Sequence, residues 1–501
     1  MLRPRHSRFM LAAIVVLNAA IWSACNKTNG AGQSVAASDG GKIPITTKSD
    51  DARKEFLQAQ DLSDRLLGQE SLQHFDQAII LDPDFASAEL ARATNSPTAQ
   101  EFFDHLKKAV SLVDKVSQGE KLLILANEAG ANGDTVKQKE YLDQLVAAYS
   151  NDERAHLNLG NYYFGQQDLA QAVEHYKKSI ELAPSFSTAY NILGYAYRQQ
   201  GDYTNAEWAF KKYIELIPND PNPYDSYAEL LLKMGRFDDS IAQYRRALTI
   251  DPHFVPSHFG ISADLMYSGK AEEATSELQK MASLSRNDGE LRTALFGLCV
   301  VATDSGKLDE ALRQIDKEYA VAEKKSDVAA MAADLQAKGN IIIETQKYDA
   351  AAKVFDRSLR MIESSDLSQE IKDNAKLLHH FNLAAVAIGK KNYAAAKPLA
   401  EEFQKGAEAS KNPVQLKQSH ELEGRLALAQ KDYEKAIAEL EQANQQDPRN
   451  LYRLGQAYQG KGDAAKAHEL YNHAAEFNSL PQLNYAFIRS KAQRLAIGKQ
   501  A

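Results

Sequence analysis

The sequence predicts an all-α solenoid stacked from one repeated helix-turn-helix unit, and three observations in a common register predict it. Pro184, Pro218 and Pro252 stand 34 residues apart. Eight residues before each proline is an aromatic (Tyr176, Phe210, Tyr244), and twelve before it a small residue (Ala172, Ala206, Ser240). Twelve residues further upstream is a second small one: Gly160, Gly194 and Ala228. A fixed period of this length, with small, small, aromatic and proline landmarks, fits a unit that buries its apolar face only by stacking on copies of itself.

Each landmark has a physical reason, taken along the unit. The first small residue falls on the first helix, where a larger side chain would push the second helix away; Ala172 and Ala206 are its expected counterparts. The aromatic lies one turn further along the same face of the second helix and is expected to fill the space between neighbouring pairs. Between the helices stand Gln167-Asp168, Gly201-Asp202 and Gly235-Arg236, and glycine at a helix end tolerates the left-handed conformation that stops it. Proline then prevents the second helix from continuing.

This pattern resembles the tetratricopeptide repeat, most closely from residue 152 to residue 285. Repeats of that family commonly place an aromatic four positions before the first small residue; here those places hold His156, Tyr190, Tyr224 and His258. The resemblance implies a superhelix of helix pairs that binds other proteins and carries no catalytic centre. Extending the register gives a first array over residues 51–290, regular from 152. Residues 86–118 match poorly as a helical pair because Pro97 interrupts their apolar pattern. A second array over 291–480 has longer spacing and therefore longer helices or loops, such as 363–370. A capping helix, Leu483 to Ala496, in a tail of 481–501, is expected to cover the last apolar face.

The N-terminus reads differently. Residues 1–24 open with Arg3, Arg5, His6 and Arg8, continue through an apolar run from Phe9 to Ile21, and end Ser23-Ala24 before Cys25. That is the pattern of an export signal, short for a membrane span. Small residues before a cysteine resemble the bacterial lipobox, which implies lipidation of Cys25 and a cell-envelope location; an ordinary cleaved signal and an uncleaved anchor are the alternatives. Residues 25–50, with Gly30, Gly32, Gly40 and Gly41 and no periodicity, read as a flexible tether of roughly 25 to 30 Å.

Composition bounds the function. Lys plus Arg number 59 against 67 Asp plus Glu, and with no concentrated basic face a nucleic-acid partner is not expected. Two cysteines cannot form a disulfide framework, and Cys299 occupies a small-residue place in a repeat. The run Gly455 to Lys461 imitates a phosphate-binding loop, but Gly462 replaces the hydroxyl residue that would hold magnesium. His379-His380 and His468 with His473 do not converge on one metal, so neither a metal, a cofactor nor a catalytic group is expected. The family's clamp for chaperone tails has Lys, Asn, Lys and Arg at the places where this chain has Leu157, Ile192, Asn222 and Ser226 around Asn161, or Gln336, Asn382, Gln418 and Leu422 around Asn340, so its cations are missing.

What remains is the concave face, to which the family contributes first-helix side chains. Transferred by position, that face carries Arg154, Asn161, Phe164, Asn191, Tyr195, Arg198, Asp225, Glu229, Lys233, Phe259 and Tyr267. Amides, rings and both charge signs in one strip suit an extended peptide, whose backbone needs hydrogen bonds and whose side chains need shallow apolar pockets. The expected role is a scaffold or assembly factor of the envelope that binds another protein. A glycan-binding lipoprotein on similar repeats is the alternative.

Overall fold

In the computed structural model, residues 41–65 and 67–498 are described. They form helices and turns, with no strand among the described residues. The first compact unit runs to Ser226 and the second begins at Tyr227.

The first unit stacks α1 (Asp50–Asp64) and α2 (Gly68–Leu81), α3 (Ala86–Thr94) and α4 (Ala99–Val110), α5 (Gln118–Asn132) and α6 (Thr135–Ala148), α7 (Glu153–Gly165) and α8 (Leu169–Leu182), and α9 (Ser187–Gln200) and α10 (Tyr203–Leu216). The boundary falls within α11 (Asn222–Lys233). Residues 86–118 do contain a pair, and Pro97 lies between α3 and α4, where it interrupts nothing.

The second unit continues with α12 (Phe237–Ile250), α13 (Val255–Tyr267) and α14 (Ala271–Leu284), then α15 (Asp288–Asp304) and α16 (Leu308–Lys324), α17 (Val328–Glu344) and α18 (Tyr348–Glu363), and α19 (Gln369–Gly389) and α20 (Tyr393–Ser410). It ends with α21 (Pro413–Ala429) and α22 (Tyr433–Leu440), α23 (Pro448–Lys461) and α24 (Ala464–Ala475), and the short α25 (Leu483–Ala486) and α26 (Arg489–Ala496). The longer spacing after residue 291 is longer helices: α15 to α17 have 17 residues each and α19 has 21.

The small residues work somewhat differently from the expectation. A Cβ placed on Gly160 would lie 2.6 Å from the Tyr176 ring, one on Gly194 2.7 Å from Phe210, and one on Gly455 2.7 Å from Tyr471. The aromatic of the second helix therefore lies directly on the glycine of its own pair. Tyr176, Phe210 and Tyr244 are fully buried, each burial worth roughly 1.5 to 3 kcal/mol; Tyr244 fills the space between pairs as expected, since a Cβ on Gly260 of the following α13 would come within 2.0 Å of its ring. Left-handed residues stop the first helices, glycine at Gly201 (φ +79°) and a side-chain-bearing Gln167 (φ +63°) at the equivalent place. Asp168 and Asp202 then cap the second helices by accepting from Gln171 N and Asn205 N.

Core clusters are local, as repeat stacking requires. Phe56 of α1 meets Phe75 of α2 and Phe85 beside α3, with ring centroids 5.9 and 4.9 Å apart. Cys299 is fully buried on α15, where burial raises its thiol pKa and so keeps it protonated.

Both chain ends of the described structure depart from the sequence expectation. Residues 41–49, read as the end of a tether, are pinned along the first unit. Ile43 N donates to Asp152 Oδ2 at 2.8 Å, Thr46 N and Oγ1 donate to Glu120 at 2.8 and 2.5 Å, and Thr47 Oγ1 donates to Asp82 Oδ2 at 2.6 Å. The carboxylates of Asp152 and Glu120 sit at the starts of α7 and α5, where they also serve the caps. At the other end, the single capping helix is two short helices. The second of them, α26, lies along α24, while α25 packs on α15 and α23, its Tyr485 hydroxyl donating to the Ala475 carbonyl at the end of α24. The last segment ties α11's end, α13 and α15 to the C-terminal half of the second unit. No described helix is long and apolar enough to cross a membrane.

Candidate functional site

On the first unit the candidate side chains come from α7, α9 and the start of α11, and the fold has already engaged several. Arg154 is bidentate to Asp64 at the end of α1 and stacks 4.8 Å over the Phe186 ring. Burial opposes its charge, but Asp64 outweighs it and raises the guanidinium pKa. Next to it Arg65 donates to both oxygens of Asp220 at 2.8 and 2.7 Å, and Thr188 Oγ1 donates to the Asp64 carbonyl at 2.8 Å. The end of α1 is thus fastened across α7, α9 and the turn before α11.

The remaining residues of this face form a smaller strip. Asn161 is exposed and its Oδ1 accepts from the buried Tyr176 hydroxyl at 3.0 Å. Phe164 is half-buried. Tyr195 donates its hydroxyl to Ser226 Oγ at 3.2 Å, meets Phe210 edge-on at 5.2 Å, and carries the Arg198 guanidinium 4.6 Å over its ring. Asn191 is buried, with no hydrogen-bond partner for Oδ1 among the described residues, and Asp225 is buried as well.

On the second unit the chain supplies its own occupant. Lys233 Nζ, at the end of α11, donates to the main-chain carbonyl of Phe477 and lies 3.8 Å over that ring's centroid. Tyr267, at the end of α13, donates its hydroxyl to the Ser479 carbonyl at 2.6 Å and packs 5.3 Å from the Tyr485 ring. Asp304, at the end of α15, accepts from Arg489 Nε at 2.7 Å, and Glu344, at the end of α17, accepts from Lys491 Nζ at 2.8 Å. Four successive first helices therefore each contribute their last turn to one passing segment, residues 477–491.

Glu229 is half-buried on α11. Phe259 is a correction: it is buried, and a Cβ on Gly297 of α15 would come within 2.9 Å of its ring, so it packs between first helices. Cys25 lies outside the described residues.

Sequence reasoning missed Asp64, Arg65, Asp304, Phe477, Ser479 and Arg489. Their contacts span up to 244 positions, and no local pattern marks a residue that is used only when a distant segment reaches it.

Models of the tetratricopeptide repeat match residues 125–185 and 157–221 of the first unit. A second such model matches 222–254, 418–450 and 448–479. Among solved structures, the Cut9-Hcn1 hetero-tetramer of the APC/C is similar at 15% identity over 84% of this chain and 76% of that chain, with a TM-score of 0.40. MamA from Desulfovibrio magneticus RS-1 is similar at 16% identity over 34% and 95%, with a TM-score of 0.29. YrrB, titled a TPR protein with an unusual peptide-binding site, is similar at 20% identity over 36% and 91%, with a TM-score of 0.25. No curated protein matches the chain.

Proposed function

We propose that this chain, with tetratricopeptide repeats in both units, is a non-catalytic interaction scaffold or assembly factor of the bacterial cell envelope. It binds an extended segment of another protein along its first-helix faces, and a lipid on Cys25 holds it at a membrane. The observation that carries the binding reading is the way Lys233 and Tyr267, 34 residues apart in the repeat register, each donate to a main-chain carbonyl of one passing segment. Side chains that grip carbonyls take extended backbone largely without regard to its sequence, and the rings beside them supply the apolar contact that adds affinity.

Lys233 and Tyr267 are engaged within the chain, so a partner segment is assigned to the strip on α7 and α9. The envelope location and the lipid rest on the basic n-region, the apolar run and Ser23-Ala24-Cys25.

The test is capture of envelope proteins by the tethered form and by the triple variant Asn191→Ala, Tyr195→Ala, Arg198→Ala. Loss of capture with unchanged circular dichroism supports the reading. An unchanged partner set from a folded variant removes this face from it.

A further inference from the structure

Near the end of the second unit, α21 and α23 bring three guanidiniums onto two carboxylates. Arg453 Nη1 donates to Glu421 Oε1 at 2.8 Å, and Asn450 Nδ2 reaches Glu421 Oε2 at 3.4 Å, so both oxygens of Glu421 are taken. Arg449 holds Asp447, with Nη2 to Oδ2 at 2.7 Å, and Asn484 Nδ2 donates to the same oxygen at 2.9 Å. Arg425, one turn after Glu421, approaches it only to 3.6 Å, beyond hydrogen-bond reach. Its guanidinium lies 5.7 Å over the Phe381 ring of α19 and makes no hydrogen bond among the described residues. Its side chain is 16% exposed, as is that of Arg453, so neither is sealed from solvent.

Glu344 also acts on Arg449 but is held by Lys491 at 2.8 Å, so with that pair included the cluster still holds one cation more than its carboxylates neutralise. An unmatched buried charge is costly. Burial and the Arg453 guanidinium push Arg425 down to about 9, while Glu421, whose ionisation burial opposes, is held at about 2 by the three arginines. A second anion would satisfy the unused donors. The planar fork of Arg425 matches two oxygens of one group, and the face of Phe381 walls it on one side.

We propose that Arg425 and Arg453 form a binding site for one oxyanion group, carboxylate or phosphate, carried by a ligand of the second unit. The site stands whether or not the first unit takes a protein segment.

The test uses the full chain. Thermal unfolding is followed during titration with sodium phosphate and separately with sodium acetate, each against sodium chloride at matched ionic strength. Wild type should show a saturable rise in midpoint beyond chloride with at least one oxyanion; a response to phosphate alone identifies a phosphoryl ligand and a response to acetate a carboxylate. Arg425→Gln should weaken the apparent affinity about tenfold or more. Its midpoint in chloride should equal or exceed that of wild type, because the unmatched charge is gone. Arg313→Gln, at a side chain 64% exposed on α16, should leave the response intact. No rise beyond chloride, or the same rise in wild type and Arg425→Gln, overturns the proposal. A lower chloride midpoint with the anion response retained also overturns it, since that marks a purely structural arginine. If Arg425→Gln does not fold, calorimetry with phosphate on Arg425→Lys, which keeps the charge and loses the fork, decides it: weaker binding supports the site and unchanged binding refutes it.

Discussion

Tyr267 donates its hydroxyl to the carbonyl oxygen of Ser479, 212 positions further along the chain, at 2.6 Å. With Arg489 stacked 5.3 Å over the same ring and bonded to Asp304, this one side chain shows how the second unit closes on its own C-terminal segment. The two contacts should differ in weight. Tyr267→Phe removes a single neutral hydrogen bond and should cost about 0.5 to 1.5 kcal/mol. Arg489→Met strands Asp304, 5% exposed, as a buried unpaired carboxylate and should cost about 3 to 5 kcal/mol. Urea denaturation measures both, and hydrogen exchange should place the loss in residues 477–491 with the first unit unchanged.

Asp264, on α13, gives the fold a pH dependence. It is fully buried and neither oxygen has a hydrogen-bond partner among the described residues. Burial pushes its carboxyl up to about 8, with Ser240 opposing only in part; the Ser240 hydroxyl donates to the Ala228 carbonyl. A folded pKa above the unfolded value of about 3.9 means the fold holds the proton. The associated stability is complete below about pH 4 and is lost as pH rises toward 8, on the order of 1.4 kcal/mol per pH unit. Asp264→Asn should remove this slope and be the more stable protein at pH 8, read from denaturant midpoints at pH 5 and pH 8.

Gly194→Leu should destabilise the first unit by about 1 to 3 kcal/mol through overpacking, because even a Cβ there would sit 2.7 Å from Phe210. Combining it with Phe210→Ala should recover part of the loss. Hydrogen exchange should report the damage around α9 and α10, with residues after Cys299 protected.

The repeat itself was legible because its cause is local: a glycine, an aromatic and a turn residue at fixed spacing specify one helix pair, and stacking repeats the result. The engaged ends were not, because Arg154 with Asp64 and Tyr267 with Ser479 are set by which parts of the stack meet. Phe259 was assigned to the face by register, yet Gly297 on α15 opens a space that draws its ring inward. Residues 41–49 look featureless in sequence because their donors are ordinary, the N–H groups of Ile43 and Thr46 and the hydroxyls of Thr46 and Thr47; the matching carboxylates, Asp82, Glu120 and Asp152, are distant, and those of Glu120 and Asp152 already serve helix caps. The arginine cluster escaped notice because Arg425, Arg449 and Arg453 come from two helices and are not a run.

Cys25→Ser should release the protein from membranes if the cysteine is lipidated. Detergent-phase partitioning of both forms measures this, and partitioning of the wild type into the aqueous phase would remove the anchor.

The most direct measurement of backbone gripping by first-helix ends supplies the segment in trans. A chain ending at Glu476, its folding verified by circular dichroism, is titrated into a fluorescent peptide of residues 477–487 and followed by anisotropy. The predicted result is saturable binding that Lys233→Ala with Tyr267→Phe weakens about tenfold or more. Absence of binding by the folded chain, or binding indifferent to both substitutions, would contradict it.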